Sequence, residues 1–412
     1  MKIARTIFAA LILSTFAFPQ TSKPITVPIT LDHNRVVIDV YLPLSDGTSK
    51  RVRALVNTGS SDLMMSQRIA ALFGPVTCDG QSCTATPPHE MLIGGMKFLL
   101  AGISSARTPA GFPNDFMIPG MSPEITVPAT ILRNYDVLID YANRQFTIGE
   151  PGSVTFRGTA VRAQTGSLGL IQATSTIEGE THTWELDTGA SISFIAGDLF
   201  AKWHVAHPTW PYMKGSVGPA NMFGTPDEVD REVMQIPSLR LGSGTLGSVL
   251  VASYPPDLLQ QLQDRVGKDA IGCVGGEALR NYRLGIDYTH AHVYLDPVGQ
   301  AALAAVDVVG LTLRPETDGR FTIVAVPDVN GKPAVADVKA GDSLAGIDGA
   351  PATGATLGQV WSLLGGTPGQ TRTLTLERDG KRFTVEAPVR RFLDVKSPTP
   401  VKSPRRNPHQ RN

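Results

Sequence analysis

The clearest hydrophobic patterns in this chain are short and extended. Residues 51–56 (RVRALV) form an apolar-rich run that ends at a glycine-containing turn, and residues 181–186 (THTWEL) behave alike. Residues 137–148 alternate apolar and polar positions well enough to form a hairpin, turning at Ala142, Asn143 and Arg144. Residues 284–295 form a matching hairpin that turns near Thr289 and His290. Residues 257–265 read as a peripheral helix. From residue 305 to 391 the pattern is one of strands around a single helix, 356–364. Together these elements predict a mostly-β chain.

The elements fall into a repeat. ALVNTGSSDLMMS (from Ala54) pairs with WELDTGASISFIA (from Trp184), and ILRNYDVLIDYANRQFTI (from Ile131) pairs with ALRNYRLGIDYTHAHVYL (from Ala278). Two motifs recur in the same order at similar spacing, which chance does not explain. The repeat predicts two similar lobes, 24–150 and 155–300, with Pro151 and Gly152 at the linker and Pro297 and Gly299 closing the second. A small domain follows at 305–391. The stretch 392–412 is basic and Pro-rich, with VKSP occurring twice, and is expected to be disordered.

Composition agrees with this division. A chain of 412 residues is too long for one ordinary core. Its 41 glycines and 31 prolines with few aromatics suit strands and turns. The formal net charge of +0 gives no argument for nucleic acid or an anionic membrane surface as partner. Lys2 and Arg5 precede an apolar run at 7–18, so residues 1–20 read as a secretory signal and the protein as exported, periplasmic or extracellular. An uncleaved anchor is the alternative, for which the run is short. Cys78 and Cys83 flank a Gly-containing loop; they can bond in an oxidising compartment or remain two free thiols. Cys273 has no evident partner and reads as a small buried hydrophobe.

A lone Asp-Thr-Gly is a weak signal, and a turn residue capping nearby amides explains it as well. Here Asp187, Thr188, Gly189, Ala190 and Ser191 follow an apolar strand and recur as Asn57, Thr58, Gly59, Ser60 and Ser61. This constellation resembles the aspartic peptidases, of both the pepsin-like and the retroviral type, over about residues 25–300. The resemblance implies two six-stranded-type β-barrel lobes with the two loops facing each other across a cleft. It implies a polypeptide substrate, a water activated between Asp187 and residue 57, and a cross-lobe bond between Thr58 and Thr188. It also implies that Cys78 and Cys83 close a small disulfide loop and that Gly275, in AIGCVGGEALRNY, supports the second loop. Such chemistry needs two carboxylates sharing one proton, because close like charges do not both ionise.

The chain departs from that pattern. Position 57 is Asn, which donates a hydrogen bond but cannot carry a proton through a cycle. Pro128 stands where Gly275 stands in the second lobe, and no Tyr-Gly flap signature occurs between Thr84 and Ile103. His204 with His207, and His290 with His292, lack the further ligands or HExxH spacing that a metal site needs, so no metal or cofactor is expected.

In the small domain, VKAGDSLAGIDG (from Val338) resembles the hairpin of PDZ domains in bacterial exported proteases. That resemblance implies a groove for a free polypeptide C-terminus. The loop Gly319, Arg320, Phe321 would hold the carboxylate, the strand containing Phe321 and Ile323 would form the groove edge, and the 356–364 helix its wall. A generic small β-domain packed on the second lobe is the alternative. Two functional classes therefore stand: an exported aspartic-type endopeptidase, or an inactive pseudo-peptidase that binds peptides as a scaffold or regulator.

Overall fold

The computed structural model describes residues 23–79, 82–100, 102–109, 118–177, 179–299 and 306–393. The expected signal segment and the tail from residue 394 lie outside these. Phe392 and Leu393, assigned to the tail from sequence, belong to the folded chain. The Phe392 amide donates to the Val306 carbonyl at 3.0 Å, and Leu393 is buried.

The chain is mostly β. The first lobe is built on a sheet in the order Ile125–Pro128, Ser49–Asn57, Arg35–Pro43, Glu90–Ile93, Met96–Leu99. The second has eight strands, and an extra pairing, Ser175 with Leu241, ties strand Ile171–Ile177 back to Glu232–Leu241. Between the lobes lies a six-stranded sheet made from the two repeated hairpins and two outer strands, Ile25–Pro28 and Thr159–Arg162. Asp136–Asp140 pairs antiparallel with Tyr282–Asp287, and each is followed by its own hairpin partner, Gln145–Gly149 and His292–Pro297. Arg144 and Ala291 take positive φ at the two hairpin turns. Alternate residues of these strands, Val137, Ile139, Leu284 and Ile286, enter one core shared by both lobes.

The small domain carries a six-strand path, Asp307–Val309, Lys381–Arg391, Thr371–Arg378, Ser343–Ile347, Phe321–Ala325, Thr312–Pro315, with one helix, Leu357–Leu364. Thr356 caps that helix in a reciprocal box with Gln359. The domain is not a separate bead. Its buried residues Val308, Leu313, Val360 and Trp361 belong to one apolar cluster with Phe194, Val217, Met222 and Leu250 of the second lobe.

Candidate functional site

Each loop of the repeat grows from a parallel strand pair. Ser49–Asn57 runs beside Ile125–Pro128, with Asn57 opposite Pro128. Glu180–Leu186 runs beside Ala270–Val274, with Leu186 opposite Val274. A short helical turn follows the second strand in both lobes. Its first amide returns to the loop: Ala129 N to Ser60 O and Gly276 N to Ala190 O, both at 2.8 Å. Pro128 and Gly275 are therefore structural counterparts. The difference has a steric reason. A Cβ on Gly275 would lie 2.2 Å from the Ile192 carbonyl, while its amide donates to Ser193 Oγ.

The loops meet with near two-fold symmetry. Thr58 N donates to Thr188 Oγ1 at 3.2 Å, and Thr188 N donates to Thr58 Oγ1 at 3.0 Å. Thr58 Oγ1 donates to the Leu186 carbonyl and Thr188 Oγ1 to the Val56 carbonyl, at 2.7 and 2.8 Å. Both threonines are fully buried. The glycines interlock in the same way. A Cβ on Gly59 would sit 2.2 Å from Asp187 Cγ, and one on Gly189 would sit 2.5 Å from Asn57 Cγ. Only glycine permits each loop to pass so close to the residue opposite. Asn57 Oδ1 accepts the Gly59 amide at 3.0 Å and Asp187 Oδ1 accepts the Gly189 amide at 2.7 Å. The first of these bonds fixes the Asn57 amide orientation and leaves Nδ2 as its remaining donor.

Two arginines complete the symmetry, and neither carried a sequence signal. Arg35 Nε, from the first lobe, donates to the Gly189 carbonyl; Arg265 Nη1, from the second, donates to the Gly59 carbonyl; both distances are 2.9 Å. Arg35 reaches across because Asp32, His33, Asn34 and Arg35 form a tight turn in which His33 and Asn34 both have positive φ. Asn34 Nδ2 also donates to the Ser191 carbonyl at 3.1 Å. Ser191 Oγ turns away from the loop and donates to Pro219 O at 2.9 Å. Ser60 Oγ accepts the Asp62 amide at 3.3 Å.

Asn57 and Asp187 share a cavity of about 240 Å³, walled by apolar side chains that include Leu55, Phe194, Met222, Phe223 and Tyr254. Burial pushes the Asp187 carboxyl above its ordinary value. The Gly189 amide, the Arg265 and Arg35 guanidiniums and the Ala190 amide pull it back. The upward push thus survives without a carboxylate at position 57. Glu185, on the strand that leads into this loop, is buried and pushed well above its ordinary value, by burial and then by Asp187. Burial and the neighbouring Arg35 charge press His33 down to about 3, so its ring is neutral and Nε2–H donates to the Asn221 carbonyl at 2.8 Å.

Cys78 and Cys83 are bonded, directly opposite one another on the hairpin Thr77–Asp79 and Ser82–Ala85. Cys273 is free and buried. His204 stacks on Tyr212, His207 on Trp210, and His290 pairs with Asp287 at 2.7 Å. Among the described residues no group of His, Cys, Asp and Glu is arranged to hold a metal.

The small-domain expectation needs correction. Phe321–Ala325 is an inner strand, paired with Thr312–Pro315 on one side and Ser343–Ile347 on the other. Ile323 N donates to Asp342 O, and Ile323 O accepts Gly341 N. Phe321 and Ile323 point into the core, and Arg320 pairs with Asp318 on the surface. Gly319 takes a turn conformation with φ of 80°. The outer strand of this sheet is Thr312–Pro315. Both runs look strand-like in sequence, and only the pairing distinguishes them.

No family model matches the chain, and no curated protein matches its sequence. Among solved structures, the aspartic proteinase from Irpex lacteus is similar at 14% identity and a TM-score of 0.42, over 67% of this chain and 98% of that one. A likeness at that level assigns neither family nor activity.

Proposed function

We propose that this chain is an exported, aspartic-peptidase-like protein whose inter-lobe cleft holds an extended polypeptide over Asn57 and Asp187. The observation that carries this reading is the reciprocal interlock of the two loops, each glycine beneath the other loop's polar side chain. In this reading Asp187, the carboxylate among the described residues that line the cavity, takes a proton from a water, and Asn57 Nδ2 donates to a peptide carbonyl. Asn57 cannot give up or regain a proton, so one half of the acid–base exchange is missing. General acid–base action contributes about 10²–10⁴-fold, and hydrolysis is accordingly slow.

The same neutral residue favours a second reading, peptide binding without cleavage. Capture of a free C-terminus by the small domain is not part of either reading, because the strand expected to receive it is paired on both edges. The Cys78–Cys83 bond suits an oxidising compartment.

Titration calorimetry with a statine-containing peptide at pH 4–5 tests cleft binding. The wild type should bind it. Asp187→Ala should weaken binding by about tenfold or more, through loss of a charge-assisted hydrogen bond. No binding by a folded wild type contradicts the proposal.

A further inference from the structure

The outer edge of the small domain is occupied by the chain itself. Strand Thr312–Pro315 pairs with Phe321–Ala325 on one side only. The segment 216–224 of the second lobe lies against the other side. Asn221 Nδ2 donates to the Leu313 carbonyl and Asn221 Oδ1 accepts the Leu313 amide, both at 2.9 Å, which are the two bonds a neighbouring strand would make. The same Oδ1 accepts Trp361 Nε1–H from the helix at 3.2 Å, and Nδ2 also donates to Glu228 at 2.8 Å. The amide thus uses all four of its hydrogen-bonding positions. Thr312 Oγ1 donates to Ser216 O at 2.8 Å, and a Cβ on Gly224 would lie 2.4 Å from Arg314 Cα.

This segment also belongs to the cleft. Met222 and Phe223 line the cavity over Asp187, and Pro219 O accepts the Ser191 hydroxyl of the second loop. The buried Glu228 carboxylate holds the segment's shape, accepting the amides of Met222, Phe223 and Gly224 at 3.0, 2.9 and 3.1 Å. We infer that the groove of the small domain works in cis: it docks residues 216–224, and that docking sets the Met222–Phe223 wall of the cleft. Asn221 is its key positioning residue. A foreign peptide reaches Thr312–Pro315 only by lifting the segment, and the cleft wall moves with it.

Methyl-¹³C methionine NMR on the full-length protein reads this directly, with Met91 in the first lobe and Met234 in the second as folding controls; both are fully buried. In Asn221→Ala the Met222 methyl should shift or broaden and the amides of 222–224 should lose hydrogen-exchange protection by about tenfold or more, while Met91 and Met234 hold. A still Met222 methyl, with Leu313 alone losing protection, would overturn the inference. If Asn221→Ala fails to fold, Trp361→Phe removes only the Nε1 donor and should move Met222 in the same direction; no movement there also overturns it. A random decapeptide pool with free C-termini should leave the Leu313 amide of the wild type unshifted, because Asn221 already occupies that edge. A saturable shift of the Leu313 amide with Met222 unmoved counts against the inference.

Discussion

At the scale of single residues, the site is held by hydrogen bonds that have no substitute. Thr58 Oγ1 both donates to Leu186 O and accepts Thr188 N–H, inside a buried interface. Thr58→Val strands both groups, at about 1–3 kcal/mol each. Urea unfolding should therefore show a loss of about 2–6 kcal/mol for Thr58→Val and a similar loss for Thr188→Val. The double variant should cost clearly less than the sum, because the two share one lattice. Additive losses would mean that the threonines act separately. Glu277 gives a pH signature. Burial raises its carboxyl from 4.5 to about 7, against the Leu250 amide and Arg280. The native state therefore holds a proton that the unfolded chain releases between these values. Its contribution is fully present below 4.5 and is lost as pH rises through about 7, up to about 3 kcal/mol. Glu277→Gln should flatten this fall between pH 5 and pH 8 in denaturant midpoints; an unchanged slope contradicts the assignment.

At the scale of elements, the loop, the parallel strand behind it and the short helical turn form one unit used twice. Gly275 shows how tight the second copy is. A methyl there meets backbone, not a flexible side chain. Gly275→Ala should destabilise by about 1–3 kcal/mol as an overpacked site, and Pro128→Ala should be far milder, since position 128 already carries a Cβ. Comparable losses in thermal unfolding would show that the two supports are alike. Much of this unit was legible in sequence because it is local. Asn57, Asp187, both hairpins and the Pro128–Gly275 correspondence follow from short motifs in register. Arg35, Arg265, Asn221 and Glu228 were not legible. Each acts on a partner brought close only by the fold: Arg35 on Gly189, Arg265 on Gly59, Asn221 on Leu313. Glu228 is nearer in sequence to the amides it accepts, yet nothing in PDEV announces a buried carboxylate. The turn at His33 and Asn34 offered the one available hint, a polar hairpin tip without glycine. Residues 321–325 (FTIVA) have the stronger strand character in sequence, and only the pairing shows that the weaker run 312–315 (TLRP) is the outer strand.

At the scale of the whole molecule, two apolar cores tie three units together. One joins the lobes through the central sheet, and the other joins the second lobe to the small domain. The cleft is therefore a product of all three units: the lobes supply Asn57 and Asp187, and the small domain fixes the wall above them. The central claim is that this frame retains aspartic-peptidase geometry and lacks one proton carrier. The most direct measurement is the initial rate of peptide-library hydrolysis from pH 3 to 6 for the wild type, Asn57→Asp, and Asn57→Asp with Asp187→Ala. Opposed carboxylates would share a proton, so Asn57→Asp should raise the rate by about 10²-fold or more, chiefly at acidic pH, and Asp187→Ala should abolish the gain. Hydrolysis by the wild type that persists in Asp187→Ala, or a folded Asn57→Asp that binds the statine peptide yet gains no rate, would contradict it.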